Sequence, residues 1–337
     1  INSDGAIEVA KKVLDQLSQA QLSINGRTHK ISASIGIALF PDHGANIHDL
    51  LAAADLAMYQ AKAMGRNAWY LFSDKDRSRE RIQTLVYWKE KIEYSHLHDN
   101  FILYLQPIMT VKSKEILHYE VLLRMQDTDG TVLSPAHFIP AAEHTGLIHA
   151  IDHMVLRKAI AQIAQIYAAG FSVNFSINLS AHAFNDPELL PILKEALTKH
   201  RMDPKSLLFE ITETAALEDL PGARGLMTEI KELGCGFVLD DFGVGFSSFY
   251  YLRELPVDVV KIDGSFIRNL SKSSDDLILV NALCSVARGF GKRITAEFVE
   301  TSEILALIEE MDIDYAQGYY IGKPAPAKDF LISRGIY

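Results

Sequence analysis

Polar and charged side chains recur at or near the ends of short apolar stretches between Phe101 and Ile321. Burying an unpaired charge in such a stretch costs several kcal/mol, so a chain with many of them needs something that compensates the charge. Divalent metal ions and a phosphorylated substrate would supply that compensation. The residues that raise this expectation are Glu120, Asn178, Glu210, Asp240, Asp241, Lys261, Asp263, Glu297 and Gln317.

Residues two positions apart on a strand lie on the same face, and several of these residues have that spacing on the strands that we predict. Glu120, Leu122 and Arg124 are two positions apart, and so are Lys261 and Asp263, so each set lies on one face of its strand. We therefore expect a carboxylate and a guanidinium to point into the same cavity.

Asp240 and Asp241 are adjacent and cannot both point inward from a regular strand, so we expect the strand to give way to a loop there. Such a pair can serve two ions. Two hard cations roughly 3.5 to 4 Å apart need several oxygen ligands and leave positions for a water and a phosphate oxygen. A ligand set without histidine or thiolate favours Mg²⁺ or Mn²⁺ over zinc.

Eight strand-like segments alternate with amphipathic helices after residue 100. This pattern predicts an α/β fold with a mostly parallel sheet, a TIM-barrel-like (β/α)8 domain whose site lies at the C-terminal ends of the strands. The strands that we predict are Phe101 to Ile108, His118 to Met125, Phe171 to Leu179, Leu207 to Glu213, Gly236 to Asp240, Val257 to Asp263, Arg293 to Glu297 and Tyr315 to Ile321.

The chain divides into three parts by pattern. Residues 1–73 indicate an incomplete α/β unit, with a hairpin turn at Asn25-Gly26 between two helices. Residues 74–95 are highly charged with one apolar stripe, which is typical of a linker helix. Residues 96–337 are expected to form one compact barrel domain, since no low-complexity tract or short repeat interrupts them.

Composition excludes several classes of partner and setting. The 337 residues carry a formal net charge of −10 and no cluster of Lys and Arg, which argues against DNA or RNA polymers as partners. The two cysteines predict neither a disulfide framework nor a zinc site, which favours a cytoplasmic setting, and no HExxH motif occurs among the 12 histidines. The start at Ile1 leads us to expect a longer protein with upstream sensory or membrane segments.

Seven motifs follow in order along the third part: YEVLLR from Tyr119, SINLS around Asn178, FEITET from Phe209, LDDFGVGFSS from Leu239, VVKID up to Asp263, AEFVET from Ala296 and QGYYIGKP from Gln317. Together they resemble the EAL family of cyclic di-GMP phosphodiesterases. The resemblance spans roughly residues 101–326, with Glu120-Val121-Leu122 in place of the eponymous tripeptide.

This resemblance implies hydrolysis of cyclic di-GMP to linear pGpG, by in-line attack of a metal-bound water on a phosphodiester. It implies two Mg²⁺ or Mn²⁺ ions per site and a homodimer through the barrel domain. The implied ligands are Glu120, Asn178, Glu210 and Asp240 for the first ion, and Asp240, Asp241 and Glu297 for the second. The implied catalytic residues are Lys261, which would position or activate the water, Glu297, and Glu213, which would brace the loop after Asp240. The implied substrate contacts are Gln106, Leu122, Arg124, Asp263 and Gln317.

Phe298 departs from the family pattern, which usually has glycine directly after Glu297, and Val244 and Phe246 replace the usual Thr and Tyr. A bulky residue at 298 either shifts the carboxylate or packs against the barrel, and we favour packing because every ligand is present. The alternative function is a catalytically impaired EAL domain that acts as a receptor for cyclic di-GMP. A third interpretation is an interaction scaffold.

The first part contains SIGIALFPDHG from Ser34 and LLAAADLAMYQAKAMGRNAWYLF from Leu50. These segments are similar to the C-terminal half of a GGDEF diguanylate cyclase domain, whose signature would lie upstream of Ile1. Lys62 and Arg66 match positions near nucleotide phosphates but cannot form a cyclase site alone. The resemblance implies a structural or regulatory role for residues 1–73.

Overall fold

The structure is a computed structural model that describes residues 3–19, 21–24, 27–30, 32–44, 47–64, 67–73, 78–244 and 252–333. The chain divides into two compact units, residues 1–91 and 92–337. Within the described ranges, no helix combines the length and the apolar character needed to cross a membrane. The limits 1–73, 74–95 and 96–337 expected from the sequence remain predictions.

The first unit contains a small parallel sheet covered by helix α2. Ala53, Leu56 and Ala57 on α2 are buried together with Phe72. Gly36 permits this close packing, because a Cβ at that position would lie 1.9 Å from the carbonyl oxygen of Ala54. The elements are α1 (Ser3–Gln19), the antiparallel hairpin β1 (Gln21–Ile24) and β2 (Arg27–Lys30), β3 (Ile35–Ile37), α2 (Ile47–Ala63) and β4 (Trp69–Leu71), with β3 parallel to β4. The predicted turn residues Asn25 and Gly26 fall outside the described residues.

The second unit is a closed barrel, which confirms the predicted TIM-barrel-like α/β fold. Its sheet runs in the order β5-β13-β12-β11-β10-β9-β8-β6, and β6 pairs with β5 to close it. The strands are β5 (Phe101–Thr110), β6 (Ile116–Gln126), β7 (Val132–Leu133), β8 (Asn174–Asn178), β9 (Leu207–Thr212), β10 (Gly236–Phe242), β11 (Val259–Ile262), β12 (Arg293–Ala296), β13 (Tyr315–Gln317) and β14 (Ala325–Pro326).

Strand β5 runs antiparallel to both of its neighbours, β6 and β13, whereas the strands from β6 through β8 to β13 are parallel. Five of the eight strands are shorter than predicted, and β13 ends already at Gln317. Strands β5, β6 and β10 are longer than predicted, and β10 continues beyond Asp240 to Phe242.

Helices follow most strands and cover the outside of the barrel. Helix α5 buries one apolar face that includes Ile151, Val155 and Ile163. Thr301 caps the helix that begins at Ser302, since its hydroxyl accepts the N–H of Ile304 at 3.3 Å. Helix α3 (Ser78–Leu97) contains the limit between the two units. The helices of the second unit are α4 (Pro135–Thr145), α5 (Ile148–Ala168), α6 (Leu189–His200), α7 (Glu213–Glu218), α8 (Leu220–Glu232), α9 (Gly264–Ile267), α10 (Ser274–Gly289), α11 (Ser302–Glu310) and α12 (Ala327–Ser333), with 3₁₀ turns at Ala181–Asn185 and Pro204–Ser206.

Candidate metal and active site

Most of the predicted polar residues lie in one layer at the C-terminal ends of the parallel strands. An apolar layer lies beneath it, because strand residues two positions apart share a face. Leu208, Val238 and Val259 are buried together there, with Tyr315 packed against them. These four residues stand two positions before Glu210, Asp240, Lys261 and Gln317, so the barrel interior below the polar layer is filled.

Lys261 lies at the centre of the polar layer and is only 2% exposed. Its Nζ is 2.8 Å from Glu297 Oε1, 3.0 Å from Glu210 Oε2, 3.3 Å from Glu120 Oε2 and 3.4 Å from Asp240 Oδ1. One ammonium therefore faces four carboxylates from four different strands or strand ends.

The excess of carboxylates shifts the pKa values of the group. Burial and the neighbouring Glu120 raise the pKa of Glu210 to about 8, and burial raises the pKa of Glu297 to about 7 although Lys261 opposes this. Burial would also raise the pKa of Glu120, but the charge of Lys261 and hydrogen bonds from Gln317 and Asn178 lower it. Burial would lower the pKa of Lys261, but the surrounding carboxylates raise it well above its usual value.

Three buried oxygens of the layer accept no hydrogen bond from the described residues, although one of them, Asp240 Oδ1, lies 3.4 Å from Lys261 Nζ. Glu210 Oε1, Asp240 Oδ1 and Gln317 Oε1 are buried and accept no hydrogen bond from any residue that the structure describes. Unsatisfied buried acceptors are costly, and a divalent cation coordinated by oxygen would satisfy them. The donor set and its excess negative charge therefore fit hard divalent cations.

A second group of carboxylates adjoins the first. Asp240, Asp241 and Glu297 each offer one oxygen, and the three oxygens lie within 4.8 Å of one another. The expectation that the strand ends at the aspartates is wrong. Strand β10 continues, but its pairing with β11 is irregular between Leu239 and Phe242, and Asp241 has φ +57°. This bulge, rather than a loop, allows adjacent aspartates to contribute to one cluster.

Glu213 lies at the start of α7 and is 3% exposed. Its Oε2 accepts the backbone N–H of Gly243 at 3.3 Å. The contact holds the chain just after Asp241, where Gly243 has φ +106°. Val244 is exposed, and Phe246 falls outside the described residues.

Gln317 and Gln106 extend the polar layer across the antiparallel strand. Gln317 Nε2 donates to Glu120 Oε2 at 2.6 Å and to Gln106 Oε1 at 3.2 Å. Gln106 stands opposite Glu120 in the β5–β6 register and donates to the carbonyl of Gly322 at 3.3 Å. Asn178 Nδ2 donates to Glu120 Oε1 at 2.8 Å. Glu120 is thus oriented by side chains from β13 and β8.

The remaining predicted substrate contacts lie around this layer rather than in it. Arg124 lies over the ring of Tyr104, 5.3 Å from its centroid, and donates to the carbonyl of Leu123. Asp263 caps α9, since its Oδ1 accepts the N–H of Ser265 at 2.9 Å. Leu122 lines a cavity of about 530 Å³ beside Glu120 and Asn178.

That cavity contains polar groups that the sequence did not point to. Asp152 on α5 lines it and accepts a hydrogen bond from Ser180 Oγ at 2.6 Å. Burial raises the pKa of Asp152 to about 6. The available signal in the sequence for Asp152 was an acidic residue on the apolar face of a predicted helix.

Sequence reasoning also missed His118, two residues before Glu120. Burial lowers the pKa of His118 to about 4.

Phe298 lies at the edge of the site, against Gly264 and Arg268. Its φ is +50°, a region that favours glycine. The ring lies so close to Gly264 that a Cβ there would be 2.0 Å from Phe298 Cδ2, and Arg268 stacks on the ring at 4.0 Å from its centroid. Glu297 nevertheless reaches both Lys261 and the aspartate pair.

Comparisons with known proteins cover both units. Residues 89–324 match the family model described as EAL domain, and residues 1–68 match the model described as diguanylate cyclase, GGDEF domain. Cyclic di-GMP phosphodiesterase PdeB from Shewanella oneidensis is 35% identical over 324 residues, which are 96% of this chain and 38% of PdeB. Bifunctional diguanylate cyclase/cyclic di-GMP phosphodiesterase MucR from Pseudomonas aeruginosa is 34% identical over 331 residues, which are 97% of this chain and 48% of MucR.

Among solved structures, the PaMucR phosphodiesterase in complex with c-di-GMP is similar to this chain with a TM-score of 0.69 at 31% identity. The match covers 73% of this chain and 100% of that one. The chain spans less than half the length of the two curated relatives.

Proposed function

Because this chain belongs to the EAL domain family, as its motifs predicted, we propose that it hydrolyses cyclic di-GMP to linear pGpG in a metal-dependent reaction. The observation that carries the proposal is the convergence of four carboxylates on Lys261 at the C-terminal ends of the barrel strands. PdeB and MucR, which align with almost the whole chain, are both named as cyclic di-GMP phosphodiesterases.

Two hard divalent cations would be held by this layer. We assign Glu120, Asn178, Glu210 and Asp240 to the first, and Asp240, Asp241 and Glu297 to the second. Oxygen donors without histidine favour Mg²⁺ or Mn²⁺. When bound, the two ions would lower the pKa of a water and offset the charge on the phosphate.

The chain's own residues prepare the site for that chemistry. Lys261, held among the carboxylates, is proposed to orient the attacking water by donating a hydrogen bond to it. Gln317 fixes Glu120 through its 2.6 Å hydrogen bond, and Glu213 fixes the backbone at Gly243. The filled barrel beneath leaves only the open face for the substrate.

The substrate would lie across the open face. Gln106, Leu122, Arg124, Asp263 and Gln317 are proposed to contact the dinucleotide. Arg124 supports this role because its Nη1 donates to the carbonyl of Leu123 at 2.7 Å, and a guanidinium carries several N–H groups that can also bind phosphate. The cavity of about 530 Å³ beside Glu120 offers room for part of the ligand.

The test is incubation of the purified chain with cyclic di-GMP and Mg²⁺ or Mn²⁺, followed by chromatography. We expect pGpG to accumulate and a chelator to stop its formation. Tight binding of cyclic di-GMP without pGpG would contradict the enzyme and favour the receptor. A homodimer through the barrel unit remains part of the proposal and would be measured by sedimentation of the same sample.

A further inference from the structure

Ser176 on β8 is a fully buried serine whose hydroxyl is unsatisfied. It is 0% exposed, and its Oγ has no hydrogen-bond partner among the residues that the structure describes. A buried hydroxyl without a partner costs free energy, and such groups are rare in folded proteins unless they serve a function. The neighbours of Ser176 indicate what that function is.

Ser176 lies directly beneath the polar layer of the barrel. Ser176 and Asn178 share one face of β8, and Asn178 belongs to the layer because its Nδ2 donates to Glu120. In the pairing of β8 with β9, Ser176 stands opposite Leu208, and Asn178 stands opposite Glu210. Leu208 is part of the apolar cluster below the layer. The hydroxyl of Ser176 is therefore the polar group of β8 that approaches the carboxylates from below.

Two carboxylates flank this hydroxyl, and they differ in the oxygens that they have left to accept it. Ser176 stands opposite Glu120 in the β6–β8 register, but Glu120 Oε1 accepts from Asn178 and Glu120 Oε2 accepts from Gln317. Glu210 Oε1, in contrast, accepts no hydrogen bond from the described part of the chain. Glu210 Oε1 is thus the available acceptor.

The pKa of Glu210 also indicates that the hydroxyl is close to this carboxylate. Burial and the charge of Glu120 raise that pKa, whereas the hydroxyl of Ser176 lowers it. The two groups do not have the geometry of a hydrogen bond, however, so the donor and the acceptor are adjacent but unpaired. Each carboxylate oxygen has two lone pairs, so Glu210 Oε1 can accept a hydroxyl and still coordinate an ion.

We propose that Ser176 is a positioning residue for the first divalent ion, whose hydroxyl donates to Glu210 and holds that carboxylate in the orientation that coordinates the ion. Lys261 already holds the other oxygen, Oε2, at 3.0 Å. Carboxylates that bind metal are commonly held by such hydrogen bonds, and loss of the partner lowers metal affinity by about 10- to 100-fold. This role rests on the proposed function, because Glu210 is assigned there to the first ion.

Binding of Mn²⁺ tests the role without measuring activity. The electron paramagnetic resonance signal of free Mn²⁺ falls as the ion binds, so a titration gives the dissociation constants. The titration is made under argon at pH 8.5, where Glu210, with a pKa of about 8, is largely ionised and protons compete little. Ser176→Ala should weaken the binding of one ion at least about tenfold.

Urea unfolding in chelator separates positioning from a structural role. Ser176→Ala removes a buried hydroxyl that has no partner, so the urea midpoint should stay constant or rise. Ser206→Ala is the matched control, because Ser206 is also buried but lies in the turn before β9, where its hydroxyl donates to the carbonyl of Asp203 at 2.6 Å. Ser206→Ala should lower the midpoint and leave Mn²⁺ binding unchanged.

The outcomes distinguish the role of Ser176 from the proposed function. Equal Mn²⁺ binding by the wild type and Ser176→Ala would overturn the role alone. A midpoint that falls in Ser176→Ala as in Ser206→Ala, or Mn²⁺ binding that weakens equally in both variants, would also overturn it. Weaker binding in Ser176→Ala alone, in a protein that forms no pGpG, would support the role and contradict hydrolysis. A wild type that binds no Mn²⁺ would overturn both.

Discussion

The Lys261 ammonium is outnumbered by the carboxylates around it. Its Nζ lies within 3.4 Å of oxygens from Glu120, Glu210, Asp240 and Glu297. Buried charges stabilise a fold only where they balance and where their remaining lone pairs are satisfied. The excess negative charge is therefore a cost to the metal-free protein that bound divalent cations would offset.

Glu120→Gln tests the central carboxylate with little change in shape. Glu120 accepts hydrogen bonds from Asn178, Gln317 and Lys261 and is 6% exposed. The amide removes one charge from the proposed first metal site, so turnover of cyclic di-GMP should fall by about 10² to 10⁴-fold. The variant should still fold, because it also removes one of the excess negative charges around Lys261. The measurement is pGpG formation at saturating Mn²⁺, with Glu115→Gln, at an exposed glutamate, as control. Unchanged turnover would refute the assigned role.

Phe298→Gly tests whether the departure from the family pattern limits the reaction. Glycine adopts φ +50° without strain, but the variant loses the contact with Arg268. Because Glu297 already reaches Lys261 and the aspartates, we expect turnover to change less than about threefold, which is under 1 kcal/mol in barrier. Steady-state kinetics at several Mn²⁺ concentrations provide the measurement. A tenfold gain would mean that the ring holds the carboxylate away from its working position.

The C-terminal ends of strands β11 and β12 are linked by the ion pair between Lys261 and Glu297. Lys261 belongs to β11, and Glu297 follows β12 directly. Phe298, next in the chain, crosses to the start of α9 and covers Gly264. A substitution at the start of α9 can therefore displace Phe298 and, through the backbone, the adjacent Glu297.

Gly264→Ala should disturb the site through this coupling. The added Cβ would lie 2.0 Å from the Phe298 ring, so the ring and the backbone after Glu297 must shift. We expect the Mn²⁺ concentration for half-maximal activity to rise at least about fivefold, with a smaller effect on turnover at saturation. Combining Gly264→Ala with Phe298→Gly removes the clash and should restore the wild-type value, whereas independent effects would add. Additive effects in the double variant would exclude the coupling.

Local patterns in the sequence were sufficient to predict the barrel and its polar layer. Alternation and helix signals are set by neighbouring residues, so they located Glu120, Lys261 and the other strand-end groups. Alternation is the same in either direction, however, and could not show that β5 is antiparallel. The contact of Asp152 with Ser180 arises only when α5 packs against other elements. The bulge at Asp241 depends on strand pairing, which the sequence does not specify there.

The barrel excludes solvent from the lower side of the polar layer and so limits what can compensate the charges in it. A filled apolar interior lies below the polar layer, so each ionised carboxylate there is compensated only by Lys261, by hydrogen bonds or by ions from the open side. Protons are the simplest such ions. The metal-free protein should therefore bind protons in the layer near neutral pH, which makes its stability depend on pH.

The sign of that dependence follows from the raised pKa values. Glu210 and Glu297 move from the ordinary 4.5 to about 8 and about 7, so the folded protein retains protons that the unfolded chain has lost. Their contribution to stability is complete below about pH 4.5 and is lost as pH rises to about 8. The lowered pKa of His118 acts in the opposite direction, but only between about 4 and 6.5. Asp152, whose pKa burial raises to about 6, acts in the same direction as the glutamates but at lower pH. The window from pH 6.5 to 8.5 therefore reports mainly on the two glutamates.

Metal-free protein should lose on the order of 1 kcal/mol or more of its free energy of unfolding between pH 6.5 and 8.5. Added Mn²⁺ should reverse the trend, because the ligands must be ionised to bind it and the stabilisation by metal grows as protons leave. Urea unfolding at several pH values, with chelator or with Mn²⁺, measures both curves. Glu210→Gln should flatten the metal-free curve, since it removes the group with the higher pKa, while Glu195→Gln, at an exposed glutamate of α6, should not. A metal-free stability that stays constant or rises across this window would mean that the carboxylates around Lys261 are already ionised. The layer would then not hold the protons that its excess negative charge requires.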